Sequence, residues 1–149
     1  MRAAFIRHYG SNDAIEISDQ PTPAVGTHDV LIRVRAASVN PVDYKIRDGQ
    51  LKTILPLKFP LILGSDCAGV VEKCGTEVRG FKSGDNVYAR LEKERIGAFA
   101  EFAVANENTV ALKPSNLDFN QAAAIPLAGL TAWQALIDIG KLQTGQKIL

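Results

Sequence analysis

The chain has few of the residues that bind metals or form disulfides. Its 149 residues include two cysteines, Cys67 and Cys74, and two histidines, His8 and His28. No Cys-x-x-Cys pair is present and both histidines lie far upstream, so the spacing of a structural zinc site is missing. We therefore expect no structural zinc and reduced thiols.

Long apolar runs and clusters of one charge are also absent. No window reaches the roughly 18 apolar residues of a membrane span, and the first residues lack the apolar core of a signal peptide. Lysine and arginine total 17 against 16 acidic residues, which leaves a net charge of +1. This balance gives no electrostatic reason to expect nucleic acid or an anionic membrane as partner. A small-molecule partner and a cytoplasmic location are the simplest expectations.

What is present is the composition of a folded domain. Hydrophobic residues make up 46% of the chain and charged residues 22%, which is ordinary for globular proteins. The length fits about one domain of roughly 100 to 200 residues. Because residues 147–149 read as the start of an apolar strand that stops without a turn, we expect this chain to be part of a longer protein.

The first three quarters of the chain read as short strands. Apolar runs at residues 1–8 and 14–18 flank a turn-rich tract and predict a hairpin. In residues 30–36, apolar side chains alternate with Leu31, Arg33 and Arg35, the period of a half-buried strand. Further strands are predicted at residues 68–73, 86–91, 97–104 and 109–112. Many short strands at this spacing predict a barrel or a sandwich.

Helices are predicted at three places. Pro41 is tolerated in the first turn of a helix over residues 42–47, with Gly49 just past its end. Asp118 and Gln121 resemble a capping box before a short helix at residues 122–124.

Pro126 opens the third predicted helix, and Gly140 ends it. Its apolar side chains fall on one face, where we expect Trp133 to pack in the core. The face comprises Leu130, Trp133, Leu136 and Ile137. The change from strands to helices predicts a domain boundary near residues 120–126.

Five segments in order carry a family resemblance. They are residues 37–45 (ASVNPVDYK), 64–71 (GSDCAGVV), 80–88 (GFKSGDNVY), 97–102 (GAFAEF) and 122–132 (AAAIPLAGLTA). Together they resemble the zinc-independent quinone oxidoreductase and enone reductase branch of the medium-chain dehydrogenase/reductase superfamily.

This resemblance covers nearly the whole chain and implies its fold. Residues 1–124 are expected to form a GroES-like catalytic domain, a distorted β-barrel that is mainly β with short helices (α+β). Residues 125–149 are expected to lead into a truncated dinucleotide-binding Rossmann domain, whose first strand would begin at residues 147–149.

The resemblance also bears on zinc. It places Asn40 where metal-binding relatives have cysteine and Ser65 where they have histidine. Catalytic zinc needs three protein ligands of the cysteine, histidine or carboxylate type. Asparagine and serine are poor ligands, and the relatives' four-cysteine lobe is missing between Val87 and Gly97. We therefore expect no metal site.

Without a Lewis acid, a simple ketone is hard to reduce, whereas a conjugated acceptor delocalises the charge that arrives with hydride. The resemblance implies an enzyme that transfers hydride from NADPH to a quinone or to the C=C bond of an α,β-unsaturated carbonyl. Most of the NADPH site would lie beyond Leu149, so we expect this chain alone to be inactive. The full-length protein could be a homodimer.

Site residues follow from the same resemblance. Asn40, Asp43, Tyr44 and Lys45 are catalytic candidates, and Asn40 and Thr131 are candidates for cofactor binding. Candidates for substrate binding are Tyr44, Lys45, Ser65 and Asp66. Asn40 would orient the nicotinamide or the substrate carbonyl through its amide, and Tyr44 and Lys45 would donate near the acceptor oxygen.

Each candidate also has a plain structural interpretation. Asn40 is a routine helix cap, Asp43 can bond backbone amides or pair with Arg47, and Thr131 can bond back to a helical carbonyl. Tyr44 can be a packed aromatic, Lys45 a surface residue, and Asp66 a support for its turn. Cys67 is expected to be a buried thiol.

Two other functions stay open at this point. One is a zinc-type alcohol dehydrogenase, and the other is a GroES-like binding module without catalysis.

Overall fold

A computed structural model describes residues 1–148. The strands are β1 (Arg2–Ile6), β2 (Glu16–Asp19), β3 (Asp29–Ser38), β4 (Leu61–Ile62), β5 (Asp66–Cys74), β6 (Asn86–Arg90), β7 (Phe102–Asn106) and β8 (Val110–Leu112). The α-helices are α1 (Pro41–Arg47), α2 (Phe119–Ala123) and α3 (Pro126–Trp133). The expectation of a mainly β fold with short helices is confirmed.

The strands pair into two antiparallel sheets. The smaller sheet has the order β2-β1-β4 and the larger one the order β7-β3-β5-β6-β8. The predicted hairpin is present, since β1 and β2 pair with Ala3 opposite Ser18. Strands β3 and β5 form the centre of the larger sheet, so its polar residues can be held rigidly by neighbours on both sides.

Strand β3 extends beyond the predicted residues at both ends. Arg33 and Arg35 are exposed as the alternation predicts, but Leu31 is buried together with Val30 and Ile32. The half-buried pattern therefore describes only the second part of the strand.

The main core lies on the larger sheet. Its buried members are Val30, Ile32, Cys67, Val71, Val78, Val87, Ala89, Leu91, Ala98, Ala103, Ala105 and Val110. Cys67 is a fully buried thiol, as expected, and burial raises its pKa to about 12. A second core beneath α1 contains Ile6, Ile46, Leu61 and Leu63.

Glycine is required where β5 begins. Gly64 has a φ of 99°, and a Cβ there would lie 2.5 Å from a ring carbon of Phe99. At Gly69, a Cβ would lie 2.2 Å from the carbonyl oxygen of Arg33 on the neighbouring strand. Gly64 combines a positive φ with close packing, whereas Gly69 is required by the close approach of the neighbouring strand alone.

An ion pair ties the start of β3 to the loop before β7. Both oxygens of the buried Asp29 accept hydrogen bonds from Arg95, at 2.9 and 2.8 Å. Arg95 also binds Glu92, whose Oε1 accepts a bond from the backbone N–H of Asn106. The bond from Arg95 is the main reason that the pKa of Asp29 lies below its usual value.

Helices α1 and α2 form where they were predicted. Helix α1 starts at Pro41, and Gly49 follows it with a φ of 75°. The capping box of α2 is confirmed, because Asp118 accepts from the N–H of Gln121 at 2.7 Å and Gln121 accepts from the N–H of Asp118 at 3.0 Å.

Helix α3 corrects one prediction. It starts at Pro126, continues as a π-helix over Gln134–Ile139 and ends at Gly140, but Trp133 is 61% exposed and does not pack in the core. Leu130, Leu136 and Ile137 are exposed as well. We call these four residues the apolar face of α3. The prediction was wrong because periodicity shows which side chains share a face, not whether another element covers it.

Two strand predictions also differ from the structure. The predicted strand at residues 97–104 is divided, since β7 begins only at Phe102. The preceding residues bond to β1 and to the turn at Gly64, through Ala4 N–H to the Phe99 carbonyl and Ala98 N–H to the Gly64 carbonyl. Of the strand predicted at 147–149, Lys147 and Ile148 have no regular structure, and Leu149 lies outside the described residues.

The helices within residues 1–148 are all too short or too polar to cross a bilayer.

Candidate functional site

A cluster of polar side chains lies where β3 ends and β5 begins. Ser38 is paired with Asp66 in the register of these two strands. Asn40 follows two residues after Ser38 and precedes α1, which brings Asp43 towards Ser65. We call Ser38, Asn40, Asp43, Ser65 and Asp66 the polar cluster.

Asp66 is the centre of this cluster. Its Oδ2 accepts hydrogen bonds from Ser38 Oγ at 3.2 Å, Asn40 Nδ2 at 3.1 Å and the backbone N–H of Leu127 at 3.0 Å. The side chain is fully buried, and its Oδ1 has no hydrogen-bond partner among residues 1–148. One carboxylate oxygen therefore joins β3, the segment before α1 and the first turn of α3.

Asp43 makes a second set of bonds in the same place. Its Oδ1 accepts from Ser65 Oγ at 2.7 Å, and its Oδ2 accepts from the backbone N–H of Asn40 at 2.7 Å. The latter bond is a cap at the start of α1, so the structural interpretation of Asp43 is supported by its contact with a backbone amide. Arg47, the other suggested partner, instead pairs with Asp48 at 2.7 Å.

The contacts of Asn40 fix the orientation of its amide. Its Nδ2 donates to Asp66 Oδ2 and to Ser38 Oγ, both at 3.1 Å. An amide nitrogen has two hydrogens, so both are used within the protein. Its carbonyl oxygen takes part in the capping box of α1 with the Asp43 N–H, and because an amide oxygen has two lone pairs it can accept one further bond. Asn40 can thus accept a hydrogen bond from a ligand, and donation to a substrate carbonyl would require breaking the cluster.

Burial raises the pKa of both carboxyl groups. For Asp43 the bonds from Ser65 and Asn40 oppose this rise. For Asp66 the bond from Leu127 and those from Asn40 and Ser38 oppose it, while the nearby charge of Asp43 adds to it. The cluster therefore holds two carboxyl groups that retain protons more readily than exposed ones.

The other candidates lie on the surface around the cluster. Tyr44 is 44% exposed, and Lys45 beside it on α1 is also exposed. Thr131 is exposed on α3 and donates to the Leu127 carbonyl at 2.8 Å, the back-bonding expected of a plain helical threonine. Because Leu127 also binds Asp66, Thr131 is connected to the cluster through one residue.

Ser65 and Asp66 have no free surface for a substrate. Their exposed fractions are 1% and 0%, and the Ser65 hydroxyl hydrogen is given to Asp43. The expectation that they contact a substrate directly does not fit this burial.

Two groups of the cluster escaped sequence reasoning. Ser38 continues the alternation of Val34 and Ala36 by one more step, a signal that would have placed it on the inner side of β3. The N–H of Leu127 belongs to the first turn of a helix, where backbone donors have no helical partner. Nothing in the local sequence says that Asp66 supplies that partner.

The donor set does not fit catalytic zinc. The cluster offers an amide, two hydroxyls and two carboxylates that already bind these groups, whereas catalytic zinc takes three ligands of the cysteine, histidine or carboxylate type. Within residues 1–148, no group of three or more such side chains is arranged to hold a metal ion.

A separate apolar groove lies between α3 and strands β6 and β8. It has a volume of about 560 Å³, and its lining includes Tyr88, Arg90, Ile125, Leu130 and Trp133. None of the polar cluster lines it. The groove and the cluster are therefore two different features of the same region.

Comparison with known proteins gives matches over most of the chain. Residues 26–115 match the family model described as the alcohol dehydrogenase GroES-like domain. The chain is 40% identical over 134 residues to a chloroplastic quinone-oxidoreductase homolog of Spinacia oleracea, covering 90% of the chain and 41% of that protein.

Two further proteins are similar. The 2-methylene-furan-3-one reductase of Solanum lycopersicum is 41% identical over 157 residues, covering 100% of the chain and 40% of the relative. The structure of Escherichia coli quinone oxidoreductase complexed with NADPH matches with a TM-score of 0.82 and 26% identity, over 91% of the chain and 40% of that structure. The chain thus spans about two fifths of the length of these relatives.

Proposed function

Because the chain belongs to the alcohol dehydrogenase GroES-like domain family, we propose that it forms the substrate-binding half of an oxidoreductase. The reaction is transfer of hydride from NADPH to a quinone or to the C=C bond of an α,β-unsaturated carbonyl, without zinc. Similarity to a quinone-oxidoreductase homolog and to an enone-type reductase supports the acceptor class. The observation that carries the proposal is the fixed amide of Asn40, whose two hydrogens are both bound within the protein and whose oxygen has a second lone pair for a ligand.

Asn40 fits the nicotinamide end of NADPH. A nicotinamide carboxamide carries N–H donors, and Asn40 Oδ1 would accept one of them. Thr131 donates its hydroxyl hydrogen to Leu127, so its oxygen would act as an acceptor as well. Support comes from the similar quinone oxidoreductase whose structure was solved with NADPH.

When bound, NADPH would supply the hydride, two electrons and one hydrogen nucleus, and would become NADP⁺. A π bond of the acceptor breaks as its carbon gains the hydride, and a proton from water or a nearby hydroxyl completes the reduced product. Tyr44 and Lys45 are exposed donors on α1, suited to hydrogen-bond the acceptor oxygen as negative charge develops there.

Asp43, Ser65 and Asp66 have no free surface and support the site from within. The bond from the Asn40 N–H to Asp43 fixes the backbone, and the bond from the Asn40 amide to Asp66 fixes the side chain. Ser65 holds Asp43 in turn. A fixed acceptor needs no reorganisation when a ligand binds, which improves affinity.

We also propose the division of the chain at residue 124. Residues 1–124 contain both sheets, and residues 125–149 contain α3 and its extension, which would connect to a Rossmann domain. Exposure of the apolar face of α3 supports this division. In the whole protein, partners beyond the small-molecule substrate, such as a second copy, remain predictions, as does a cytoplasmic location.

The proposal is tested by titrating the ¹⁵N-labelled chain with NADPH. We expect weak binding in which resonances of the Asn40 side-chain amide and of Thr131 shift. The control ligand is 2′-phospho-ADP-ribose, which lacks the nicotinamide and should leave Asn40 unchanged. Equal shifts with both ligands, or none with NADPH, would contradict a nicotinamide site at Asn40.

A second measurement addresses zinc and turnover. In the whole protein, NADPH oxidation is followed with a panel of quinones and a panel of enones, with and without a chelator. Activity that survives chelation is expected, and its loss would favour the zinc-type alcohol dehydrogenase. Binding without turnover of any acceptor would favour the non-enzymatic binding module.

A further inference from the structure

Asp66 is an unusual residue for the interior of a protein. It is a fully buried carboxylate, its Oδ1 has no hydrogen-bond partner among residues 1–148, and the charge of another carboxylate, Asp43, acts on it. A buried polar atom without a hydrogen bond costs free energy, and an unpaired buried charge costs more. Such exceptions in a native structure call for a specific reason.

The three bonds to Asp66 Oδ2 supply that reason. Two come from side chains at the end of β3 and just after it, Ser38 and Asn40, and the third comes from the Leu127 N–H in α3. Ser38 and Asn40 lie 28 and 26 residues before Asp66 in the chain, and Leu127 lies 61 residues after it. Among the hydrogen bonds of the cluster within residues 1–148, those of Asp66 alone reach both Asn40 and α3.

We propose that Asp66 is a positioning residue that couples the orientation of Asn40 to the placement of α3. It fixes the Asn40 amide, and with it the position of the Asn40 carbonyl oxygen, while holding the turn from which Thr131 projects. The distance between the two proposed nicotinamide acceptors, Asn40 Oδ1 and the Thr131 hydroxyl oxygen, is thereby kept constant. This inference deepens the proposed function and rests on it as far as the cofactor is concerned.

The bond to Leu127 makes the coupling measurable. A first-turn N–H of a helix has no helical partner, so its protection from hydrogen exchange depends on Asp66 alone. The Asn40 side-chain amide depends on Asp66 for one of its two bonds. Both groups should therefore respond together when Asp66 changes.

The test compares Asp66→Leu with Asp118→Leu in the labelled chain. Asp118 also binds a first-turn amide, that of Gln121 in α2, but it makes no bond to Asn40. In Asp66→Leu we expect at least about tenfold faster exchange of the Leu127 N–H and of the Asn40 amide. Asp118→Leu should accelerate only Gln121, and amides in β3 such as Ile32 should stay protected in both variants.

Asp66→Asn keeps the test decisive if Asp66→Leu does not fold. Its side-chain oxygen can accept the same three bonds, though more weakly because it is neutral. We expect exchange of Leu127 and Asn40 to rise together, by about threefold. Faster hydrogen exchange at only one of these two groups, or equally faster exchange throughout β3, would overturn the coupling. Asp66 would then have only a general structural role.

Titration of the variants with NADPH distinguishes the proposed coupling by Asp66 from the proposed function. The NADPH-dependent shift of Asn40 should weaken about tenfold in apparent affinity in Asp66→Leu and stay unchanged in Asp118→Leu. If the unmodified chain shows no NADPH shift while Asp66→Leu still releases both amides, the proposed function fails and the coupling stands. If NADPH shifts Asn40 equally in both variants, the coupling is overturned and the function stands.

Discussion

Single residues in this protein are held by neighbours that come from distant parts of the chain. Asp29 illustrates this as clearly as the polar cluster does, because its partner Arg95 lies 66 residues away. Arg95 is fixed in turn by Glu92, at 2.6 Å. The pair joins the first residue of β3 to the loop before β7, so its charge state affects how well that loop is held.

We predict that Asp29→Asn makes stability less dependent on pH in the acid range. The pKa of Asp29 is lower in the folded chain than its usual 3.8, chiefly because of Arg95. Its ionised form therefore stabilises the fold above the unfolded value, and this contribution is lost as pH falls through the folded pKa. At pH 7 the variant should be less stable by about 1–2 kcal/mol, since Arg95 is partly exposed and screened by solvent.

Urea unfolding at several pH values checks this prediction. The difference between the two proteins should be constant at neutral pH and shrink below about pH 4. Asp13→Asn, at an exposed site, is the matched control and should show no such trend. A gap that widened in acid would contradict the assigned role of the pair.

Residue types were easier to predict than residue contacts. The resemblance singled out Asn40, Asp43, Ser65 and Asp66, and these four are in contact through hydrogen bonds. The direction of these hydrogen bonds was not predictable, because the orientation of the Asn40 amide depends on Ser38 and Asp66, which lie on two different strands. Sequence spacing gives order along the chain, whereas these bonds depend on strand register.

Elements in this fold depend on a few backbone positions, and Gly64 is the most demanding of them. It sits between β4 and β5, and its conformation directs Ser65 and Asp66 into the polar cluster. Its carbonyl also accepts bonds from the N–H groups of Gly97 and Ala98. A distortion at Gly64 would thus affect both the site and the loop before β7.

We predict that Gly64→Ala destabilises the chain by about 2–4 kcal/mol, because it combines a positive φ with a clash against Phe99. Two control variants separate the cost of the positive φ from the cost of the clash with Phe99. Gly84→Ala has a φ of 92° but open space, so it should cost about 1 kcal/mol. Gly80→Ala has neither problem and should change stability by less than about 0.5 kcal/mol. Denaturant melts rank the three variants, and equal losses at positions 64 and 84 would exclude the clash.

Local signals in the sequence predicted some helices and strands and missed the bounds of others. Helices α1 and α2 and the hairpin of β1 and β2 were predicted because their signals are local: Pro41, the Asp118 capping box and a turn-rich tract. The strand at 97–104 was predicted too long, since its first residues bond to β1 instead of to β3. The composition of a segment does not show which strand it will bond to.

The whole molecule is confirmed as the mainly β, GroES-like fold that five ordered segments implied, and the resemblance to quinone oxidoreductases and enone reductases is confirmed with it. What sequence reasoning did not predict is the exposure of the apolar face of α3. A helix with this pattern is normally covered. Within residues 1–148 no element covers it, and the relatives are more than twice as long as this chain.

We predict that Trp133, the single tryptophan, reports this exposure directly. Its fluorescence in the chain should be red-shifted and readily quenched by acrylamide. Trp133→Gln should change the free energy of unfolding by less than about 0.5 kcal/mol, because little of the indole leaves water on folding.

The comparison variant is Phe5→Ala, a fully buried aromatic, which should cost about 3–5 kcal/mol. A loss at Trp133 approaching that of Phe5 would mean that the indole is covered.

Helix α3 is hydrogen-bonded to the larger sheet at its first turn, so a tilt at that turn moves the other end of the helix most. Leu127 is bonded to the sheet through Asp66, while the far end near Ile139 is exposed. From Leu127 to Trp133 the α-helix rises about 9 Å, and the π-helix continues to Ile139. A tilt of about 10° at the first turn would move Trp133 by about 1.6 Å and Thr131 by about 1 Å, and the residues beyond Trp133 by more. Such a tilt would therefore move the exposed end of the helix more than it moves Thr131.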